Sequence, residues 1–167
     1  MQTDPLSTPD VGRRLIETTS PQFRENLLEH VFIAEVLQEC AVVRGQNVAV
    51  LRAEVDEDGY DLVLEMDGVL RHVQLKSRYD GDKASHKAFD GLNPKLGGRI
   101  GGCVVVMLWL VKDGRIKLAY RWWGSGPGEA ADPIPEHMTF GQMKIVNTTA
   151  DLATRLFGQV SVSPAGA

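Results

Sequence analysis

Cysteine is scarce in this sequence, and long hydrophobic runs are missing from it. The two cysteines, Cys40 and Cys103, have no metal-ligand spacing, which favours reduced thiols and a cytoplasmic location. The longest apolar run, 103–111, has the length of a β-strand and is far shorter than the roughly 18–20 residues of a membrane span. Residues 1–9 lack the charged start and apolar stretch of a signal peptide. We therefore expect neither secretion nor a membrane partner.

The composition is that of an ordinary globular protein. The chain has 167 residues, of which 43% are hydrophobic and 24% are charged. It is therefore long enough to bury a core and too apolar to be disordered throughout. We expect one domain over residues 21–158, preceded by a mobile lead-in at 1–20 that is rich in Thr, Ser, Pro and Asp, and followed by a frayed tail at 159–167.

Charge is distributed unevenly along the chain. The net charge is −4, and residues 1–70 carry 14 acidic side chains against five basic ones. Residues 71–99 reverse this balance, with seven basic side chains against three acidic ones. An overall basic footprint for nucleic acid is absent, whereas a local one is present at 71–99. Ordinary surface variation is an alternative interpretation of that local excess.

The hydrophobic pattern predicts an α/β fold with a mixed central sheet of about five strands flanked by helices. Ser20-Pro21 is typical of a helix start, and the continuous apolar run near residue 105 is typical of a strand buried on both faces. The element order is αβββαββα. The predicted elements are a helix at 21–40, strands at 47–54, 60–66 and 69–77, a helix at 83–89, strands at 102–110 and 115–122, and a helix at 147–157.

The dipeptide Asp67-Gly68 predicts a two-residue hairpin turn, which fixes the register of its two strands. In that register Leu62 faces Val73 and Asp61 faces Gln74. Because side chains alternate along a strand, Asp61, Gln74 and Lys76 then share one face at the end of the hairpin far from the turn. An acid, an amide and an amine in that arrangement can surround one bound ion or one phosphate. An ordinary ion pair between Asp61 and Lys76 is the alternative.

The first predicted helix supplies a second acid. Glu29 is aligned with apolar residues three, four and seven positions further on, so its side chain is predicted to point toward the sheet. A carboxylate aimed inward needs a partner such as a metal ion, a lysine or backbone donors. Glu35 is aligned with Gln38 and Glu39, which predicts that it points to water.

These residues together resemble a known family. A glutamate on the first helix, then Gly59-Tyr60-Asp61-Leu62, then a turn and Gln74-Leu75-Lys76 is similar to the pattern of the PD-(D/E)xK nuclease superfamily, also called restriction-endonuclease-like. The resemblance covers roughly residues 21–110 and implies the fold of that superfamily. Gln74 departs from the pattern, because the more usual residue at its position is Glu or Asp.

The resemblance implies a metal-dependent nuclease that hydrolyses phosphodiesters of DNA with Mg²⁺ or Mn²⁺. It implies Glu29, Asp61, Gln74 and Lys76 as catalytic residues, with Asp61, Glu29, Gln74 and the backbone carbonyl of Leu75 as metal ligands. Lys76 would orient the attacking water and stabilise transition-state charge. The residues expected to contact the DNA backbone are Arg78, Lys83, His86 and Lys87.

A second class of function fits the same residues. A non-catalytic module on a nuclease-like fold would bind nucleic acid or a protein without cleaving anything. The acidic net charge and Gln74 favour this module, whereas the presence of Glu29, Asp61 and Lys76 favours the nuclease. A homodimer is expected for a nuclease that cuts both strands, although no motif in the sequence indicates one.

Overall fold

The structure is a computed structural model that describes residues 10–53, 59–81, 90–135 and 137–160. Within these ranges the chain forms three α-helices and one six-stranded sheet. The helices are α1 (Val11–Thr18), α2 (Pro21–Gln38) and α3 (Thr149–Phe157). The strands are β1 (Ala49–Arg52), β2 (Leu62–Met66), β3 (Val69–Tyr79), β4 (Gly102–Lys112), β5 (Arg115–Gly124) and β6 (Lys144–Val146).

The helix starts are capped by side chains in the way their sequences indicate. Ser20 accepts a hydrogen bond from the Phe23 amide at the start of α2, with Pro21 in the first helical position. Thr148 accepts from the Asp151 amide at the start of α3. Helix α2 ends in a wider π-helical turn at Glu39–Val43, which carries the chain toward β1.

The sheet follows sequence order from β1 to β6, with one parallel pair at its centre. All neighbouring strands are antiparallel except β3 and β4. The β2–β3 turn and the β4–β5 turn both use Asp-Gly, with positive φ at Asp67, Gly68, Asp113 and Gly114. The parallel pair requires a long crossover, which runs from Tyr79 to Gly102.

The sheet buries both of its faces. One face packs on the helices, with Phe32 of α2, Val105 of β4 and Leu156 of α3 in the same core cluster. The other face forms a second core that includes Val104 and Val106 of β4 and is covered by loop residues such as Leu96 and Met138. Strand β4 is therefore buried on both sides, as its continuous apolar sequence predicts.

Two expectations from the sequence need correction. The sheet has six strands rather than about five, because the three residues of β6 pair with β5. An additional helix, α1, lies within the segment 1–20 expected as a lead-in, with Asp10 as its N-cap. The pattern of this segment gave no helix signal, because it is short and rich in Ser, Thr and Pro. The helix predicted at 83–89 lies outside the described residues.

No helix in the described part of the chain has both the length and the apolar character needed to span a membrane.

Candidate active site

The β2–β3 hairpin brings Asp61 to the edge of β3. The register pairs Leu62 with Val73, as the Asp-Gly turn predicts. The predicted pairing of Asp61 with Gln74 is absent, because the ladder stops at Leu62. Instead, the Asp61 amide donates to the Val73 carbonyl at 2.9 Å, and Asp61 Oδ2 accepts a 2.6 Å bond from the Leu75 amide.

Beyond Val73, strand β3 has one open edge. It continues to Tyr79 and pairs with β4 along this length, whereas β2 on its other side begins only at Leu62. The amide and carbonyl of one residue point to the same side of a strand. The Leu75 carbonyl therefore faces the gap into which the Leu75 amide donates.

A cavity of about 380 Å³ occupies this gap. Five of the residues singled out in the sequence line it: Glu29, Asp61, Leu75, Lys76 and Arg78. Glu29 comes from α2 on one face of the sheet, whereas Lys76 is in register with Val106, whose side chain lies in the second core on the other face. Both reach one cavity because the edge of β3 is open there. Residues 29, 61 and 76, which the sequence predicts to share one pocket, thus all line this cavity.

A second cavity of about 270 Å³ adjoins the first. The two share Asn26, Glu29 and Asp61, so both carboxylates have a cavity on each side. The second cavity also contacts Arg52, at the end of β1, and His30 of α2.

Glu29 is held by an ion pair that the sequence did not indicate. Its side chain is 22% exposed, in agreement with the inward direction predicted from the helix pattern. Its partner is Arg52, whose Nε lies 2.8 Å from Glu29 Oε1. The inward carboxylate therefore has a protein cation as its partner in this structure.

The basic residues of the first cavity contact nearby loops and backbone. Lys76 Nζ donates to the Gly91 carbonyl at 3.3 Å, and Arg78 Nη1 donates to the Ser77 carbonyl at 2.9 Å. Burial lowers the pKa of the Arg78 guanidinium, and the negative charge of Asp90 opposes this shift. Of the other predicted DNA contacts, Lys83, His86 and Lys87 lie outside the described residues.

Gln74 does not line either cavity. Its side chain is 4% exposed, and its partner across the β3–β4 ladder is Val104, whose side chain lies in the second core. The Gln74 Oε1 atom is buried and has no hydrogen-bond partner. A buried amide oxygen without a partner is energetically unfavourable, so a cation or a donor that reached it would be bound favourably. Its role in a metal site stays a prediction.

The donor set at this edge fits a hard divalent cation in its chemistry. Mg²⁺ is commonly held by one or two carboxylates, with water and substrate oxygens completing the shell. Glu29, Asp61 and the Leu75 carbonyl supply oxygens of that kind, and Gln74 Oε1 is an orphaned oxygen one residue away. No cluster of three or more His, Cys, Asp or Glu side chains placed to hold a metal occurs among the residues described. A site with only two carboxylates does not form such a cluster, because the cluster needs at least three of these side chains.

Three features of the structure at and near this site were not predicted from the sequence. Arg52 was not singled out, because its position depends on how β1 pairs with β2, where Arg52 lies opposite Leu62. Asp90 lines the first cavity and forms a 2.8 Å pair with His137, a histidine for which the sequence suggested no partner. Glu35 does not point to water: it accepts hydrogen bonds from Tyr120 and Thr149.

Comparison with family models, with curated proteins and with solved structures finds no match for this chain.

Proposed function

We propose that this protein is a metal-dependent nuclease of the PD-(D/E)xK type that cleaves phosphodiester bonds in DNA. The observation that carries the proposal is the shared cavity of about 380 Å³, which is lined by Glu29, Asp61, Leu75 and Lys76. Four of the five residues that the sequence resemblance implies for the site therefore lie in one polar cleft, and Gln74 is the exception.

Asp61 and Glu29 would hold Mg²⁺ or Mn²⁺, with neutral oxygens from the Leu75 carbonyl and Gln74. The bond from the Leu75 amide to Asp61 Oδ2 fixes the orientation of that carboxylate. A cation held there would polarise a phosphate oxygen and neutralise part of its charge. Arg52 Nε pairs with Glu29 Oε1, so Oε2 is the oxygen of Glu29 that would face the cation.

Lys76 would interact with both the attacking water and the reacting phosphate. Its ammonium group lies in the cavity that Asp61 lines, where it can orient the attacking water and stabilise negative charge in the transition state. In this reaction the water oxygen attacks phosphorus, the bond from phosphorus to the leaving oxygen breaks, and that oxygen receives a proton. Arg78 and, by sequence, Lys83, His86 and Lys87 would contact neighbouring phosphates.

The fold that we propose with this activity is restriction-endonuclease-like. Three features support this assignment. Helix α2 carries an acid, β2 and β3 form an antiparallel hairpin, and β3 also pairs in parallel with β4. A homodimer would place two such sites on one duplex, and the molar mass in solution from light scattering tests for it.

A non-catalytic module that binds nucleic acid or a protein is the second candidate. One observation favours it: the Glu29 carboxylate is already neutralised by Arg52, and Gln74 carries no charge to replace it. A site in which one acid is paired with an arginine and the usual second acid is a neutral amide would hold a divalent cation weakly.

Cleavage assays separate the two candidates. Purified protein is incubated with Mg²⁺ or Mn²⁺ and with plasmid, single-stranded and branched DNA, beside Asp61→Ala, Lys76→Ala and the exposed control Lys117→Ala. The nuclease proposal expects cleavage by the wild type and by Lys117→Ala only. Cleavage that survives both site substitutions would contradict the assigned site. No cleavage of any substrate, together with no metal binding by calorimetry, would favour the module.

A further inference from the structure

We propose that Arg52 is a phosphate-positioning residue that contacts the backbone of a bound nucleic acid. It lies on one side of the acids Glu29 and Asp61, and Lys76 lies on the other. This inference rests on the proposed function, and it adds a residue that the sequence pattern does not mark. It concerns the second cavity, of about 270 Å³, which Arg52 lines together with Glu29 and Asp61.

The Arg52 guanidinium is oriented by two side chains of α2. Arg52 Nε lies 2.8 Å from Glu29 Oε1, and Arg52 Nη2 lies 3.1 Å from His30 Nε2. His30 Nδ1 is also in contact with the Asn26 carbonyl, which can only accept a hydrogen bond. Nδ1 therefore carries a proton, and Nε2 of a neutral imidazole is left to accept from Arg52.

This arrangement leaves most of the guanidinium donors available. An arginine has five N–H donors in a planar fork, and Glu29 and His30 engage two of them. Among the residues that the structure describes, no other one bonds to the Arg52 side chain, which is 50% exposed. A planar cation that is fixed on one edge and open on the other matches the oxygens of a phosphate group.

The position of Arg52 indicates which phosphate of a nucleic-acid strand it would contact. Arg52 is paired with Leu62 in the β1–β2 ladder, and the next residue, Ala53, donates to the Asp61 carbonyl at 3.0 Å. Asp61 and Glu29 separate its cavity from the one that contains Lys76. A strand whose reacting phosphate lies at Lys76 would therefore bring a neighbouring phosphate to Arg52.

A purely structural role for Arg52 is the competing explanation. In that case Arg52 only neutralises Glu29, and its removal would weaken DNA binding by exposing a carboxylate. The two explanations differ when Glu29 is also neutral. A direct phosphate contact is still lost in that background, whereas an indirect effect disappears.

The experiment measures duplex binding without catalysis. Fluorescence anisotropy of a labelled 20-base-pair duplex is recorded in EDTA over a range of salt concentrations for the wild type, Arg52→Gln, Arg52→Lys, Glu29→Gln and the double variant Glu29→Gln/Arg52→Gln. Arg115→Gln, which removes an exposed arginine that lines neither cavity, is the matched control. Thermal unfolding of each variant confirms that the proteins are folded.

We expect Arg52→Gln to reduce the slope of log K against log salt by about 0.9, the value for one phosphate contact on duplex DNA. The same reduction is expected between Glu29→Gln and the double variant, whereas Arg52→Lys keeps the slope and Arg115→Gln leaves it unchanged. Two outcomes would overturn this inference alone, provided that the wild type binds the duplex tightly. In the first, Arg52→Gln does not change the slope; in the second, it changes the slope only when Glu29 is present. Failure of the wild type to bind DNA at all would overturn the proposed function as well.

Discussion

The Leu75 amide donates a 2.6 Å hydrogen bond to Asp61 Oδ2 at the point where β2 has ended and β3 continues. A side-chain carboxylate thus takes the place that a backbone carbonyl of β2 would occupy in a longer ladder. The bond stabilises the open edge of β3 and orients the acid toward the cavity that contains Lys76. One interaction therefore serves both the local backbone and the candidate site.

Two substitutions at this site should affect metal binding and bond cleavage differently. Asp61→Asn removes a charged ligand, so we expect Mn²⁺ affinity to fall by at least the roughly 10–100-fold seen for groups that support metal ligands. Lys76→Met removes no ligand, so Mn²⁺ affinity should be unchanged or higher, while the cleavage rate falls by about 10²–10⁴-fold. Calorimetry with Mn²⁺ and single-turnover cleavage measure the two quantities.

The control for this pair is Lys95→Met, a lysine that lines neither cavity and should change neither quantity. Equal loss of Mn²⁺ affinity in Asp61→Asn and Lys76→Met would contradict the separate roles assigned to the two residues.

Two acids of α2 should have opposite effects when they are removed. Glu35 accepts hydrogen bonds from buried Tyr120 and from Thr149, so Glu35→Ala leaves the Tyr120 hydroxyl without its acceptor. We expect it to lower the free energy of unfolding by about 1–3 kcal/mol and to leave cleavage intact. Glu29→Ala breaks a partly exposed ion pair, so its effect on stability should be about 0–1 kcal/mol, whereas cleavage should be lost.

Urea unfolding and DNA cleavage, measured on both variants, test this contrast. Glu25→Ala, an exposed acid of the same helix, is the matched control for stability. A Glu35→Ala protein that is as stable as the wild type would show that the Tyr120 contact contributes nothing to the fold.

The part of the site that the sequence predicted is the part determined by local rules. A two-residue Asp-Gly turn sets the register of β2 and β3 as far as Leu62, and the helix repeat sets the direction of Glu29, so Glu29, Asp61 and Lys76 were predicted to lie near one another. The helix start at Ser20 follows from equally local capping chemistry.

The rest depends on contacts between distant segments. Strand β6 has only three residues and is defined by its pairing with β5, and Arg52 reaches Glu29 only because β1 pairs with β2. The direction of Glu35 was predicted wrongly because α2 packs against α3 as well as the sheet, so a second face of the helix is covered. Hydrophobic periodicity along one helix does not contain that information.

The link between α1 and β3 should make stability depend on pH in the alkaline range. Tyr79 donates a hydrogen bond to Asp10, the N-cap of α1, and this bond raises the pKa of Tyr79 to about 12. Because the folded state holds the phenol proton more tightly, the contribution of this bond is complete below pH 10 and is lost as the pH rises through about 12. Stability measured by urea unfolding from pH 9 to 12 should therefore fall less steeply in Tyr79→Phe.

Asp10→Ala is the control for this dependence, because it removes the main cause of the Tyr79 shift. It should flatten the alkaline profile as Tyr79→Phe does, and the double variant should add nothing further. The same bond lowers the pKa of Asp10, so the wild type should also lose this contribution as the pH falls below about 3.8. Identical profiles for the wild type and Tyr79→Phe would exclude the link.

Gln74→Glu tests whether the orphaned amide oxygen belongs to the metal site. The side chain is 4% exposed, so burial should raise the pKa of the new carboxyl above the usual value of about 4.3. The folded state then binds its proton more tightly than the unfolded state, and stability relative to the wild type should decrease as the pH rises above about 4.3, by about 1.4 kcal/mol for each unit of pKa difference. If residue 74 belongs to the metal site, Mn²⁺ should reverse this loss at pH 7 and bind more tightly than to the wild type, because the new carboxylate adds a charged ligand. Urea unfolding at several pH values, with and without Mn²⁺, measures both effects, and Gln74→Ala is the control whose stability should not depend on pH. A loss of stability in Gln74→Glu that Mn²⁺ does not reverse would place Gln74 outside the metal site.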